Sequence, residues 1–322
     1  MKITTRSIIH IGTPCNLNCK HCYYYNDKIR KWKNIFWLMG HLILIRLCRM
    51  DKLDVSGGEP TIYPKRHFLM WFCTFIGFKE IRLVTNGTQW KKASKLAEKY
   101  KNVRFSLSLH SPVESDMEEL TGSGLVLDRI RKFVYELGDR INYVNCVITP
   151  FNTDILTIAQ RITAITGDIT LCFKHLDYNF THGIEDFPTH LYRRSLNTSI
   201  RNLLLKKGEI EINMRFFPFC FLDEDLLEHK QVKCCSAITN NYDPNDWLPL
   251  IGRKTKLIRW IKFIFGSEKI REHEAKEQAI FQGKFECANT KTCKHCRYLN
   301  TCDGTQKGYL KLFGDKEFRP MP

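Results

Sequence analysis

Over its first 176 residues the chain alternates short apolar runs with amphipathic stretches six times. The strand-like runs are Ser7–Ile11, Leu53–Val55, Ile81–Val84, Val103–Leu109, Tyr143–Ile148 and the segment ITLCF at 169–173. Between them lie helical patterns over 27–49, 64–78, 91–100 and 123–137, and another follows the fifth run at 155–165. Strands joined in series by helices pair in parallel through right-handed crossovers. Two architectures satisfy that order, a doubly wound sheet and a barrel. Beyond residue 176 the periodicity fades: DYNFTHGIEDFPTH reads as a connection, and a helix and the strand EINMRFF follow. Residues 286–322 hold four cysteines. The expected division is therefore a β/α core at 1–176, a connecting region with helix and strand elements at 177–285, and a cysteine-rich region at 286–322.

The chain has 322 residues, enough for about two domains. Its formal charge of +16 attracts nucleic acid, nucleotides, acidic peptides or anionic lipid heads without choosing among them. Fourteen cysteines suggest disulfides only if the protein is exported. The start MKITTRSIIHIGTPC lacks the apolar core and cleavage site of an export signal. The expected location is cytoplasmic, with reduced thiols available for metal chemistry. The most lipid-like segment, FWLMGHLILIRL (36–47), is about half a membrane span and carries His41 and Arg46. It reads as a buried helix, and KLIRWIKFIFG (256–266) as a packed amphipathic one. No stable membrane association is expected.

Cys15, Cys19 and Cys22 form a C-x3-C-x2-C loop after the first strand. Thiolates suit zinc and iron–sulfur clusters. A closed zinc site wants a fourth ligand. His21 adjoins Cys22, where the chain hardly turns both side chains onto one metal, and His10 lies on the preceding strand. A distorted zinc site is one reading. In the other, three thiolates hold three irons of a cubane cluster and leave the fourth open, and an open position marks a catalytic metal.

The loop resembles the signature of the radical S-adenosylmethionine (radical SAM) enzymes. Further matches follow in that family's order: GGEP at Gly57–Pro60, TNGT at Thr85–Thr88 and SLSLH at Ser106–His110, each at a strand end. The resemblance covers roughly residues 5–175 and implies an α/β fold, a partial (β/α)6 TIM-like barrel with its site at the C-terminal strand ends. It implies a [4Fe-4S] cluster on Cys15, Cys19 and Cys22, with S-adenosylmethionine (SAM) contacted by Gly57, Gly58, Glu59, Asn86, Ser106 and Ser108. The implied activity is reductive cleavage of SAM to a 5′-deoxyadenosyl radical that abstracts a substrate hydrogen, with flavodoxin or ferredoxin as reductant. One departure stands out. The residue before the third cysteine is commonly aromatic in the family and is His21 here, flanked by Tyr23 and Tyr24.

Cys287, Cys293, Cys296 and Cys302 form the second cluster of thiols. The C-x2-C-x5-C spacing of the last three resembles the SPASM or shortened "twitch" extension of radical SAM proteins. Where a full SPASM core has its next cysteine, this chain has Gln306, which implies one auxiliary [4Fe-4S] cluster. Its fourth ligand is Cys287, Cys234, Cys235 or Cys220, and a structural zinc site on four cysteines is the alternative. Cys48, Cys73, Cys146 and Cys172 read as core residues. The implied substrate is a peptide or protein, with a sugar or nucleotide small molecule as the alternative. No catalytic residue acting on the substrate is assigned. A reading from another class is a zinc-binding nucleic-acid module using Trp32, Trp37 and Trp260, which leaves GGEP and TNGT unexplained.

Overall fold

A computed structural model describes residues 6–22, 30–149, 152, 154–167, 169–176, 193–206, 211–215, 217–235, 261–262, 264–271, 273–274, 287–302 and 304–321. Tyr23, Tyr24 and Trp260, singled out above, lie outside these residues, as does the side chain of Cys235.

Eight strands form one parallel sheet in sequential order. They are β1 (Arg6–His10), β2 (Lys52–Ser56), β3 (Glu80–Thr85), β4 (Val103–Ser108), β5 (Ile141–Ile148), β6 (Leu171–His175), β7 (Ile212–Arg215) and β8 (Val232–Cys235). The helices between them are α1 (Ile35–Leu47), α2 (Arg66–Phe75), α3 (Trp90–Lys99), α4 (Glu114–Thr121), α5 (Val126–Leu137), α6 (Ile155–Thr166) and α7 (Arg193–Lys206). Sequential order with right-handed crossovers places every helix on one face and curls the sheet around the other, the geometry of a TIM-like barrel. The sheet exceeds the six expected strands by two, because β7 and β8, both within 177–285, extend it.

Strand alternation separates the two faces. Leu53, Val55, Ile81, Leu83, Phe105 and Leu107 are fully buried in the hydrophobic core. On the opposite parity the inner face is polar. Asp54 accepts from Arg6 at 2.6 Å and also pairs with Arg82, whose guanidinium lies 4.5 Å from the Tyr143 ring centre. Buried charges survive only when paired in this way. Cys48, Cys73, Cys146 and Cys172 are buried, as their isolated positions predict.

Two local differences from the sequence reading have physical causes. The helix expected over 27–49 begins at Ile35. Trp32 bridges back to Gly12, and Asn34 caps the helix by accepting from the Phe36 amide at 2.8 Å. This helix is also not buried all round. Ile35, Leu38, Leu42 and Ile45 face the core, whereas Phe36, Trp37, Ile43 and Leu47 are exposed. No helix among the described residues is long and apolar enough to cross a membrane.

At the C-terminus β9 (Cys287–Ala288) and β10 (Thr305–Gln306) pair antiparallel, and a short helix, α8 (Lys307–Phe313), follows. Tyr309 of α8 packs edge-on to His175 and Phe221, with ring centres 5.5 and 5.7 Å away, and binds Glu317 through its hydroxyl. Glu317 also accepts from the Arg193 amide at 2.8 Å, so the last segment is fastened to the barrel wall.

Candidate active site and a second thiol recess

The loops leaving β1 and β2 lock together through backbone. Gly58 donates to the Gly12 carbonyl at 2.8 Å, and Glu59 to that of Pro14 at 2.9 Å. Gly57 has φ +135°, and a Cβ on Gly58 would lie 1.8 Å from the Pro14 oxygen. Only glycine permits so close an approach. The cysteine loop thus lies directly against the GGEP turn.

Glu59 is buried, and its carboxylate joins the β2 loop to the loop leaving β3. Oε1 accepts from the Thr61 amide at 3.0 Å, the Thr61 hydroxyl at 2.6 Å and the Thr85 hydroxyl at 2.8 Å, and Oε2 accepts from the Asn86 amide at 2.8 Å. Burial pushes its pKa up, against the pull of these donors. Asn86 reaches over the cysteine loop, donating to Asn16 at 3.1 Å and toward Cys15 Sγ at 3.7 Å. Hydrogen bonds to a ligand sulfur are one means of setting a cluster's potential. Asn16 in turn donates to Thr88 at 2.8 Å. The polar residues Asn16, Thr85 and Thr88 were not singled out from sequence. Thr85 and Thr88 bound the TNGT phrase, and Asn16 lies inside the cysteine loop.

Cys15, Cys19 and Cys22 are half-buried. The loop between them is pinned by Asn18 and Lys20 amides, each donating at 2.9 Å to carbonyls at the end of α4, Thr121 and Leu120 respectively. Burial first, with the neighbouring sulfurs adding to it, pushes the Cys15 thiol up to about 11 and Cys19 higher still. Thiolates crowded this way are costly without a cation, so a bound metal group stabilises the loop while releasing protons. The glycine cradle and the three thiols fit a cluster with SAM beside it.

His21 lies edge-on to His110, two residues past β4, with ring centres 4.2 Å apart. Burial pushes His21 down to about 4 and His110 well below its ordinary value, so both rings are neutral at pH 7. The His21 Nδ1 is buried without a hydrogen-bond partner. His110 Nδ1 accepts from the Val147 amide at 3.2 Å. Ser106 is buried deeper and accepts from Asn145, whereas Ser108 stands at the end of β4, level with Asn145 in register.

The second group of thiols is assembled across the fold. Cys220, Cys293, Cys296 and Cys302 line one recess together with Phe219, Thr290 and Tyr298. Burial, then the adjacent Cys302, Cys293 and Cys296, push the Cys220 thiol up to about 12. Cys302 Sγ accepts from the Phe219 amide at 3.5 Å and the Gly304 amide at 3.4 Å. Cys287 sits on β9 opposite Gln306 and is not part of the lining, and Cys234 bonds the Phe217 carbonyl at 3.7 Å. Among the described residues, no three Cys, His, Asp or Glu side chains converge tightly enough to hold a single metal ion.

Residues 9–159 match the Radical SAM superfamily. This stretch is similar to a radical SAM domain. It contains the cysteine loop and the GGEP, TNGT and SLSLH phrases. Among curated proteins, the chain is 30% identical over 80 residues to an S-adenosylmethionine-dependent nucleotide dehydratase of Thermoplasmatales archaeon ISO4-H5, covering 25% of this chain and 28% of that one. It is 25% identical over 171 residues to a GTP 3′,8-cyclase of Aquifex aeolicus, covering 47% of this chain and 51% of that one. The matches thus span about a quarter and a half of those relatives. Among solved structures, Streptococcus suis SuiB bound to S-adenosylmethionine superposes with TM-score 0.59 at 17% identity, covering 99% of this chain and 76% of that one. SuiB bound to its precursor peptide SuiA gives 0.54 at 18% identity, over 66% of this chain and 49% of that one. At such identities the likeness is one of fold.

Proposed function

We propose that this chain is a radical SAM, hydrogen-abstracting catalyst acting on a peptide or protein. Cys15, Cys19 and Cys22 would hold the [4Fe-4S] cluster, which would pass one electron from an external reductant to SAM and so supply methionine and a hydrogen-abstracting 5′-deoxyadenosyl radical. The observation that carries this reading is the union of the three-thiol loop with the Gly57–Gly58 cradle through the Gly58–Gly12 and Glu59–Pro14 backbone bonds. Glu59 holds the cradle to the TNGT turn and so fixes where the SAM amino acid group rests. Gly57 and Gly58 admit that group to backbone, and Asn86 orients the Cys15 side of the loop. His21, neutral and half-buried, offers a flat ring where the family commonly has an aromatic residue. Ser108 lines the mouth of the barrel, and Ser106 lies deeper within it.

The C-terminal recess is assigned an auxiliary [4Fe-4S] cluster. Four thiols lining one recess match the four-thiolate ligation of such a cluster. A peptide substrate is supported by the fold likeness to SuiB, solved with a precursor peptide. A nucleotide is the second reading, favoured by the two sequence relatives, whose names specify nucleotide chemistry.

The test is anaerobic reconstitution followed by iron and sulfide analysis, reduction in the presence of SAM, and mass spectrometry for 5′-deoxyadenosine. Product formation that depends on Cys19 supports the reading. A colourless protein holding zinc without iron or sulfide overturns it.

A further inference from the structure

The outward surface of α1 and α2 is apolar where solvent-facing helices ordinarily carry charge. On α1 the residues opposite the buried stripe are Phe36, Gly40, Ile43 and Leu47, spaced i, i+4, i+7 and i+11; Phe36 is 77% exposed. On α2 the exposed stripe is Phe68, Trp71 and Phe75, with successive ring centres 5.5 Å apart and Phe75 73% exposed. The two helices adjoin. Arg46 of α1 bonds the carbonyl of Ile76, just past α2, at 3.0 Å. The other flank of α2 turns away, since Thr74 bonds Asn102 and the His67 carbonyl accepts from Tyr100. On the far side of α1, Arg271 donates to the Cys48 carbonyl at 3.0 Å and brings the helical segment around 261–271 alongside, with Ile261, Phe265 and Ile270 exposed.

Around α1 and α2 the charge is mostly basic, whereas the neighbouring 261–271 segment adds one exposed acid, Glu268. Residues 30–79 contain nine Lys and Arg against three acids, Asp51, Asp54 and Glu59. Asp54 and Glu59 are buried, and Asp51 is paired with Lys79 at 3.0 Å. Neither α1 nor α2 contains an acidic residue. Lys33 lies over the Trp37 ring at 4.4 Å, and Lys65 stands exposed at the start of α2.

Against the sequence expectation of no stable membrane association, we propose that this face docks the protein reversibly onto an anionic lipid surface, lying in the interface without spanning it. Protruding Phe and Trp side chains on a convex helical surface suit a deformable lipid boundary, and the lysine and arginine rim suits anionic headgroups. A second copy of the chain is the poorer partner, because a two-fold contact would bring the same basic rim against itself. This face lies on the outer wall of the barrel and contains none of the residues assigned to SAM or to the thiol sites. Docking is therefore independent of the reaction.

The full chain should co-sediment with phosphatidylcholine vesicles containing about one-third phosphatidylserine, bind pure phosphatidylcholine weakly, and release as salt rises from about 0.1 to 0.5 M. Replacing Phe36, Trp71 and Phe75 together with Ser should lower the bound fraction about tenfold, since membrane affinity scales with buried apolar area, with an unchanged melting curve. If that variant misfolds, Lys33→Glu with Lys65→Glu tests the rim alone and should reduce anionic-vesicle binding while leaving SAM cleavage in solution intact. The proposal is overturned if vesicles of both compositions leave the chain unbound. It is equally overturned if both compositions bind alike, or if the Ser substitutions convert a solution dimer to a monomer without altering vesicle binding.

Discussion

The two thiol sites are built on opposite plans. Cys15, Cys19 and Cys22 belong to one loop, braced by neighbouring backbone. Cys293, Cys296 and Cys302 belong to another loop, but the recess they line is completed by Cys220 from beside β7. A site carried on one loop can be recognised by spacing, whereas a site closed by tertiary contact is visible only when the fold is. The plans also imply different vulnerabilities. The first site depends on close backbone packing, and the second on the docking of a distant segment.

The largest expected effect separates the sites by chemistry. Cys19→Ala should reduce 5′-deoxyadenosine to background, measured by mass spectrometry on reconstituted protein, whereas Cys220→Ala should retain measurable cleavage. Equal loss in both variants would erase the distinction between a catalytic and an auxiliary site. Next comes Gly58→Ala, whose methyl would meet the Pro14 oxygen. Displacing a catalytic loop by about 1 Å costs roughly 100-fold, so cleavage should fall by at least that factor with Cys15, Cys19 and Cys22 all intact. Wild-type cleavage in this variant would show that the cradle does not position SAM. Third, iron and sulfide content should drop by about one cluster equivalent in Cys220→Ala and stay unchanged in Cys287→Ala, the recess being taken as four-thiolate. The reverse pattern would return Cys287 to the ligand set.

The smallest effect concerns the packing that joins the second site to the barrel. His175 is buried against Phe217, Phe221 and Tyr309, and burial lowers its pKa from 6.5 to about 4. The unfolded chain binds a proton there near pH 6.5 that the folded chain refuses until about pH 4. Stability is therefore full above the upper value and declines as pH falls through this window, by about 3 kcal/mol at most. Melting curves for the wild type and His175→Phe should converge in pH dependence at neutral pH and part below about pH 6. Parallel curves throughout would mean that this ring is not kept neutral by the fold.

Most of the barrel was legible in the sequence because each of its first six strands is a short apolar run ending in a recognisable turn. β7 was visible as the strand-like EINMRFF, but nothing in that run says which neighbour it pairs with. α4 was missed because ESDMEELT is mostly polar and buries only Met117, Leu120 and Thr121. The exposed face of α1 was missed for the opposite reason. An unbroken apolar run has no periodicity to mark an outer side, and burial is the default inference. At the first thiol site, spacing named the three cysteines and the family resemblance named the glycines. It did not reveal that Glu59 receives four hydrogen bonds or that His21 meets His110. At the second, Cys220 stood among Phe217, Phe219 and Phe221 and read equally well as a core thiol, which it remains in part.

The recess that joins Cys220 to Cys293, Cys296 and Cys302 has a consequence for how the protein matures. Filling it would close a long loop of chain, and loop closure is an entropic cost that metal–thiolate bonds readily offset. Iron supply would then act as the last step of assembly. Chains made under iron starvation should present their C-terminal segment to proteases, while the barrel that precedes it stays protected.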